Sequence, residues 1–106
     1  MPLAPSGIVS ERQIATAIQK AAARLAPEVE RIRYALTSDS TGSAAIFFRV
    51  LLSDRASRPD GLYERTERIT ARILEMVRPR ERFGVEAYFN FRSESEQAKL
   101  QDAAWE

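Results

Sequence analysis

The stretch AAIFFRVLL, residues 44–52, is the longest apolar run in the chain and carries a single charge, Arg49. Nine residues are too few to span a membrane, which takes about 20. The run is also too uniformly apolar for a strand that keeps one face in water. It therefore predicts a central β-strand that is covered on both faces.

Residues 29–37, upstream of this strand, alternate between apolar and polar side chains, as a half-buried strand does. The six residues between the two segments, SDSTGS at 38–43, all favour turns, and Gly42 can adopt the positive φ of a tight connection. The two segments predict a β-hairpin at the centre of the fold.

Two longer segments repeat apolar residues at helical spacing. The first runs from Ser10, which we expect to act as the N-cap, to Pro27, which ends the helix. The second follows Asp60, a possible N-cap, and stops before Pro79. A third strand is predicted over 85–91, because apolar residues alternate there with polar ones.

The predicted fold is α+β, an α-β-β-α-β two-layer domain with both long helices on one face of a three-stranded mixed sheet. Ser93 and Glu96 form a possible capping box that opens a short C-terminal helix. We divide the chain into a flexible arm (1–9), the α+β domain (10–92) and an acidic helix or tail (93–106). The pattern leaves open whether the third strand lies beside the first or the second.

The order of elements over 10–92 resembles the type II KH fold, including the ribosome-binding factor A family. It also resembles the cytoplasmic ferredoxin-like domain of cation diffusion facilitator transporters. The KH resemblance implies binding of single-stranded RNA through a Gly-x-x-Gly loop, but Gly61 stands alone here. The transporter resemblance implies metal binding through histidines, and the chain has none.

The chain contains no cysteine and no histidine. It therefore lacks disulfides, thiolate chemistry, the commonest general base and the commonest transition-metal ligand. Its carboxylates supply no substitute, since Glu94, Glu96 and Asp102 form no facing pair on a helix. Asp39 is explained by the preferences of the turn. We therefore expect no enzymatic activity, no cofactor and no metal site.

The charge is near neutral overall, at +1, but unevenly spread. Residues 55–82 hold eight arginines against five acids, and residues 83–106 hold two bases against five acids. A basic middle and an acidic tail can bind each other or a partner. The start of the chain lacks the basic region and apolar core of a signal peptide, so we expect a cytoplasmic protein that does not bind membranes.

Three arginines of the second helix, Arg65, Arg68 and Arg72, fall on one helical face and form a possible nucleic-acid stripe. Acidic residues lie among them: Glu64 precedes Arg68 by four positions and Glu75 follows Arg72 by three. Because interleaved acids weaken a phosphate footprint, we favour a solvated face, with all three arginines dispensable for folding.

The sheet face away from the helices is the main candidate interface, formed by Phe47, Arg49, Leu51, Tyr88 and Arg92. Apolar side chains at these positions favour a cover. Three alternatives could cover this face. They are the chain's own tail (docked through Leu100 and Trp105), a second protein chain, and single-stranded RNA stacked on the aromatic rings.

We therefore expect a small non-enzymatic protein–protein interaction or regulatory module. It would act through the sheet face, the tail or both, as a homodimer or as a subunit of a larger complex. The alternative is a KH-like single-stranded RNA-binding domain.

Overall fold

Three strands form one mixed sheet in the computed structural model, which describes residues 7–106. They are β1 (Val29–Ser38), β2 (Ala44–Leu52) and β3 (Glu86–Ser93), in the spatial order β1-β2-β3. β2 is central because the hairpin pairs it antiparallel with β1 and the crossover pairs it parallel with β3. This places the third strand beside the second, a choice that the sequence left open.

Four α-helices and one 3₁₀ turn complete the described chain. They are α1 (Gly7–Leu25), α2 (Leu62–Val77), α3 (Pro79–Phe83), α4 (Glu94–Leu100) and the 3₁₀ turn Ala103–Trp105. Side chains of α1 and α2 share one core with a single face of the sheet. The predicted two-layer α+β fold is confirmed.

The core lies between the sheet and the two long helices. Phe48, which has no exposed surface, stacks on Phe89 of β3 with ring centroids 4.7 Å apart. The other core residues from the strands alternate with residues of the opposite face, as predicted. The buried cluster comprises Ile14, Ala17, Ile18, Ala21, Leu25, Val29, Ile32, Ile46, Phe48, Val50, Leu52, Ala56, Ile69, Ile73, Val77 and Val85.

The predicted helix starts need correction. α1 begins at Gly7, so Ser10 lies inside the helix and is not its N-cap. Residues 1–6 of the predicted arm lie outside the described residues. α2 begins after Gly61, whose φ of 71° is a left-handed conformation, and Asp60 supplies no cap. Glycine adopts this left-handed conformation without steric cost. A carboxylate N-cap would instead need an extended backbone at that position.

The end of α2 agrees with the prediction, because the helix stops at Val77, before Pro79. Pro79 then opens α3, a helix of five residues that the sequence pattern did not reveal. Arg78 joins the two helices in a left-handed conformation with a φ of 51°, and its N–H donates to the Leu74 carbonyl. Proline suits the first turn of a helix because its missing N–H has no partner there.

Candidate interaction surface

The outer face of the sheet, which points away from α1 and α2, carries the predicted site residues. Strand alternation fixes its membership, because the neighbours of these residues along each strand lie in the core. The strand register arranges the face in four rows across β1, β2 and β3: Thr37, Ala45, Glu86; Ala35, Phe47, Tyr88; Arg33, Arg49, Asn90; and Arg31, Leu51, Arg92.

The C-terminal segment covers one end of this face. The Arg92 guanidinium lies 4.4 Å from the centroid of the Trp105 ring, and Arg31 Nε donates to the Trp105 carbonyl at 3.1 Å. Arg33 Nε donates to the Glu106 carbonyl at 2.8 Å. Trp105 is 6% exposed, and Leu51, between Arg31 and Arg92 in its row, is 4% exposed. We call this row the covered end.

Leu100 does not take part in this cover, since it is 61% exposed. The expected docking through both Leu100 and Trp105 is therefore corrected: only Trp105 is buried. α4 stops at Leu100, and Gln101 adopts a left-handed φ of 52° before the 3₁₀ turn. This stop turns the chain back so that Trp105 meets Arg92.

Polar contacts hold the tail at both of its ends. The predicted capping box of Ser93 and Glu96 is present at the start of α4. Gln97 is buried: its amide oxygen accepts from Arg92, and its amide nitrogen donates to the Asp102 carbonyl and to the Glu106 carboxylate.

Asp54, in the loop after β2, ties the start of α4 to the sheet. It accepts from the Ser95 N–H at 2.9 Å and from the Ser95 hydroxyl. These hydrogen bonds lower the pKa of the Asp54 carboxyl below its usual value. Within the described residues, the arginines that meet the tail lie on β1 and β3, not in the basic segment 55–82.

Away from the tail, Ala45 is buried, but Phe47, Arg49, Tyr88 and Asn90 remain partly exposed, and we call these four the open half. Phe47 and Tyr88 are paired neighbours on β2 and β3, and their rings stack with centroids 5.0 Å apart. Tyr88 is 41% exposed and Phe47 is half-buried. The stack is a preformed apolar platform that no described segment covers fully.

Asp39 fixes the Tyr88 ring from the hairpin turn. The Tyr88 hydroxyl donates to Asp39 Oδ2 at 2.8 Å, while Oδ1 accepts from the Thr41 hydroxyl and from the N–H groups of Thr41 and Ser43. The hydrogen bond from the Thr41 side chain, followed by that from Tyr88, lowers the pKa of Asp39 to about 2. The same bond to Asp39 raises the pKa of Tyr88. Asp39 therefore acts through turn geometry, as predicted, and also positions a site residue.

Arg49 is the charged residue of the open half. It follows Phe47 on the same face of β2 and is half-buried. Its guanidinium forms no ion pair with any residue of the described range 7–106. An unpaired cation beside an aromatic stack is suited to bind a carboxylate or phosphate of an incoming ligand.

The three arginines of α2 do not form one solvated stripe. Arg65 is only 8% exposed, and its guanidinium donates to the carbonyls of Ala56, Arg58 and Asp60 at 2.5, 3.3 and 2.6 Å. Arg68 and Arg72 are exposed, as expected. The expectation that all three are solvated is therefore wrong for Arg65.

The two exposed arginines have acidic partners. Arg68 binds both carboxylate oxygens of Glu28 at 2.9 and 2.8 Å, not the Glu64 predicted from the i,i+4 spacing. The predicted pair of Arg72 and Glu75 is present at 2.5 Å. These pairs reduce the positive charge that the helix offers to a phosphate backbone.

A groove of about 490 Å³ lies on the helical side of the molecule. Three cations line it, Arg12 and Lys20 of α1 and Arg82 of α3, and no acidic residue of the described chain does. The sequence reading did not find this groove, because its walls come from helices whose packing the pattern does not specify.

Comparisons with protein-family models, with curated proteins and with solved structures found no match for this chain. None of the helices in the described range is long and apolar enough to cross a membrane.

Proposed function

We propose that this protein is a non-enzymatic protein–protein interaction module that docks the open half of its outer face on an acidic, apolar segment of a partner protein. One observation carries the proposal. The Phe47–Tyr88 stack stays partly exposed beside Arg49, which forms no ion pair within residues 7–106, on a face whose other end already binds a stretch of polypeptide.

The bound tail indicates the chemistry of the partner. At the covered end, Arg92 contacts an aromatic ring and lies 3.6 Å from the Asp102 carboxylate, while Arg31 binds a main-chain carbonyl. The open half repeats these elements, with an aromatic platform in place of the buried leucine and Arg49 in place of Arg92. A partner segment with one large apolar side chain and a nearby carboxylate matches this arrangement.

A displayed peptide library tests the proposal with a defined probe. Peptides selected on the wild type are expected to combine an apolar residue with Asp or Glu, and to lose binding to Arg49→Glu and to Phe47→Ser. Arg72→Glu, an equal charge reversal on the helical side, is the matched control and should keep full binding. Peptides that bind Arg49→Glu as well as wild type would contradict docking at this site.

Single-stranded RNA binding is the second candidate, and the groove lined by Arg12, Lys20 and Arg82 favours it. The outer face favours RNA less, because the charged Asp39 carboxylate lies against Tyr88 and repels phosphate. A gel shift with short RNA at two salt concentrations separates the candidates. Salt-sensitive binding that Arg12→Gln and Arg82→Gln weaken, and Arg49→Glu does not, would replace the peptide-docking proposal.

A further inference from the structure

The two edges of the sheet differ in how they are protected from pairing with another strand. β1 has an irregular register between Val29 and Arg31 and carries charges at Glu30, Arg31 and Arg33. Bulges and charges are the usual means by which edge strands avoid new partners. β3 has neither over its middle five residues, 87–91, which include no charge and no proline.

Apolar side chains on both sides of β3 remain partly exposed. Phe89 and Phe91 stand on the helical side, stacked at 6.4 Å, and each is only half-buried although it packs against the core. Tyr88 stands on the outer side and is 41% exposed. On the helical side, Leu74 of α2 is also exposed. An unpaired edge with apolar side chains on both faces is a template for strand addition.

We propose that two copies of this chain pair antiparallel along β3, with Phe89 opposite Phe89, to form one continuous six-stranded sheet. In this register Ala87 faces Phe91 of the other copy on the helical side, and Tyr88 faces Asn90 on the outer side. Glu86 of each copy faces Arg92 of the other. The strand is thus self-complementary in charge and in side-chain type about its own midpoint.

The neighbouring two-fold registers lack this complementarity. Centring the pair on Tyr88 sets Glu86 against Asn90 and moves Arg92 opposite Gly84, beyond the strand. Centring it on Asn90 sets Glu86 against Glu94 and places Tyr88 against Arg92. A register shifted by a single residue would place the helical face of one copy beside the outer face of the other. Charge and face together select the Phe89 register.

Both charged residues of this pairing already have partners, which the dimer would rearrange. Arg80 donates to Oε2 of Glu86 at 2.8 Å, and Arg80 is highly exposed, so the pair is easily rearranged. Arg92 is held on the outer side by Gln97, Asp102 and Trp105, and its side chain is 19% exposed, so its guanidinium would be shared between these partners and Glu86 of the other copy. The tail continues from there toward β1, away from the free edge of β3.

This interface shares Tyr88 and Asn90 with the open half but not Phe47 and Arg49, because it pairs the edge of β3 whereas those two residues lie on β2. Pairing would also place the two Phe47–Tyr88 stacks on the same side of one extended sheet. The dimer would then offer a partner two equivalent docking sites.

Cysteine cross-linking reads out the register directly, because the chain has no cysteine of its own. Directly opposed residues in an antiparallel pair have Cα atoms about 4.5–5.5 Å apart, within the range of a disulfide. Oxidation of a mixture of Tyr88→Cys and Asn90→Cys chains is expected to give a covalent dimer. Either variant oxidised alone should give several-fold less. Efficient cross-linking of one variant alone would overturn the Phe89 register.

Sedimentation velocity over a range of concentrations tests the dimer itself. Wild type should self-associate, and Glu86→Arg should weaken the dimer by roughly tenfold, since like charges would then be opposed twice. Glu64→Arg, on the exposed side of α2, is the matched control and should associate as wild type does. A mixture of Glu86→Arg with Arg92→Glu chains should dimerise more strongly than either variant alone.

A wild type that stays monomeric at every concentration would overturn the edge pairing. That result would leave the docking site of the open half intact, because a single chain supplies all four of its residues. Conversely, Arg49→Glu should dimerise like wild type although it loses peptide binding. The peptide-docking proposal and the edge-pairing proposal can therefore each be contradicted without affecting the other.

Discussion

At Arg65 a charged side chain occupies a position in the apolar stripe of α2, at i−4 from Ile69 and i−8 from Ile73. It lies there because the loop before α2 turns three main-chain carbonyls toward the helix, and the planar guanidinium satisfies all of them. The hydrogen bond to the Ala56 carbonyl is buried and the other two are partly buried, so this arginine closes the loop onto the core. The four-residue spacing between Arg65 and Ile69 indicated that Arg65 faces the core. The sequence analysis instead assigned Arg65 to the possible nucleic-acid stripe.

Replacing this arginine is expected to destabilise the fold. Arg65→Met keeps much of the apolar stem but leaves the three carbonyls without their donor. We expect a loss of about 1–3 kcal/mol in the free energy of unfolding, measured by chemical denaturation. Arg72→Met, which removes only an exposed pair, should change it by less than about 0.5 kcal/mol. Equal effects of the two substitutions would show that the Arg65 contacts contribute nothing.

Asp39 predicts how the hairpin turn responds to acid. Its pKa in the folded protein is about 2, below the ordinary value of 3.8. Because the folded-state pKa is lowered, the stabilisation is fully present above about pH 4 and is lost as the pH falls toward 2. The difference in melting temperature between wild type and Asp39→Asn should therefore narrow over that interval. Tyr88→Phe, which removes one donor to the carboxylate, should give a smaller effect of the same sign, and a constant difference would contradict this account.

At the scale of elements, strands were more predictable than helix ends. β2 has the bounds of its apolar run, and the faces of β1 and β3 follow from alternation alone. The start of α2 and the whole of α3 were not predicted. Left-handed backbone conformations at Gly61 and Arg78 set these helix boundaries, and the residue types at those positions do not by themselves indicate that conformation. The position of β3 beside β2 depends on where the crossover helix packs, which is a tertiary property.

The site followed the same division. Alternation placed Phe47, Arg49, Tyr88 and Arg92 on one face, as their sequence positions require. Which end of that face the tail covers depends on Gln97, whose buried amide links Arg92 to the turn after α4. A single glutamine in a polar helix carries no sequence signal for such a contact.

The tail gives a prediction at this scale. Trp105 is buried against Arg92, whereas Leu100 is mostly exposed on the same segment. Trp105→Ala should lower the free energy of unfolding by about 1.5–3 kcal/mol, and Leu100→Ala by less than about 0.5 kcal/mol. Since Trp105 is the only tryptophan, its emission in wild type should shift to longer wavelength on denaturation. A fully solvated emission in the native protein would remove the tail as a cover.

In the whole molecule, the main core and the tail form separate layers. The buried cluster draws on α1, α2 and the three strands with their adjoining loops, and neither its members nor the side chains packed on it extend beyond Phe91. The tail instead uses the outer face, through two arginines of β1, one of β3 and the loop residue Asp54. We therefore expect the core to form without the tail, whereas the covered end of the outer face depends on the tail for its burial.

Ending the chain after Ser93 tests this division. The shortened protein should keep the circular dichroism of a folded α+β domain and should unfold cooperatively at a lower denaturant concentration than wild type. It should also bind more of a hydrophobic dye, because removal of Trp105 exposes Leu51 at the end of an already apolar face. Adding Leu51→Ser to the shortened chain should reverse much of that increase in dye binding. An unfolded shortened chain would contradict this separation of core and tail, because the core would then depend on the contacts between the tail and the outer face.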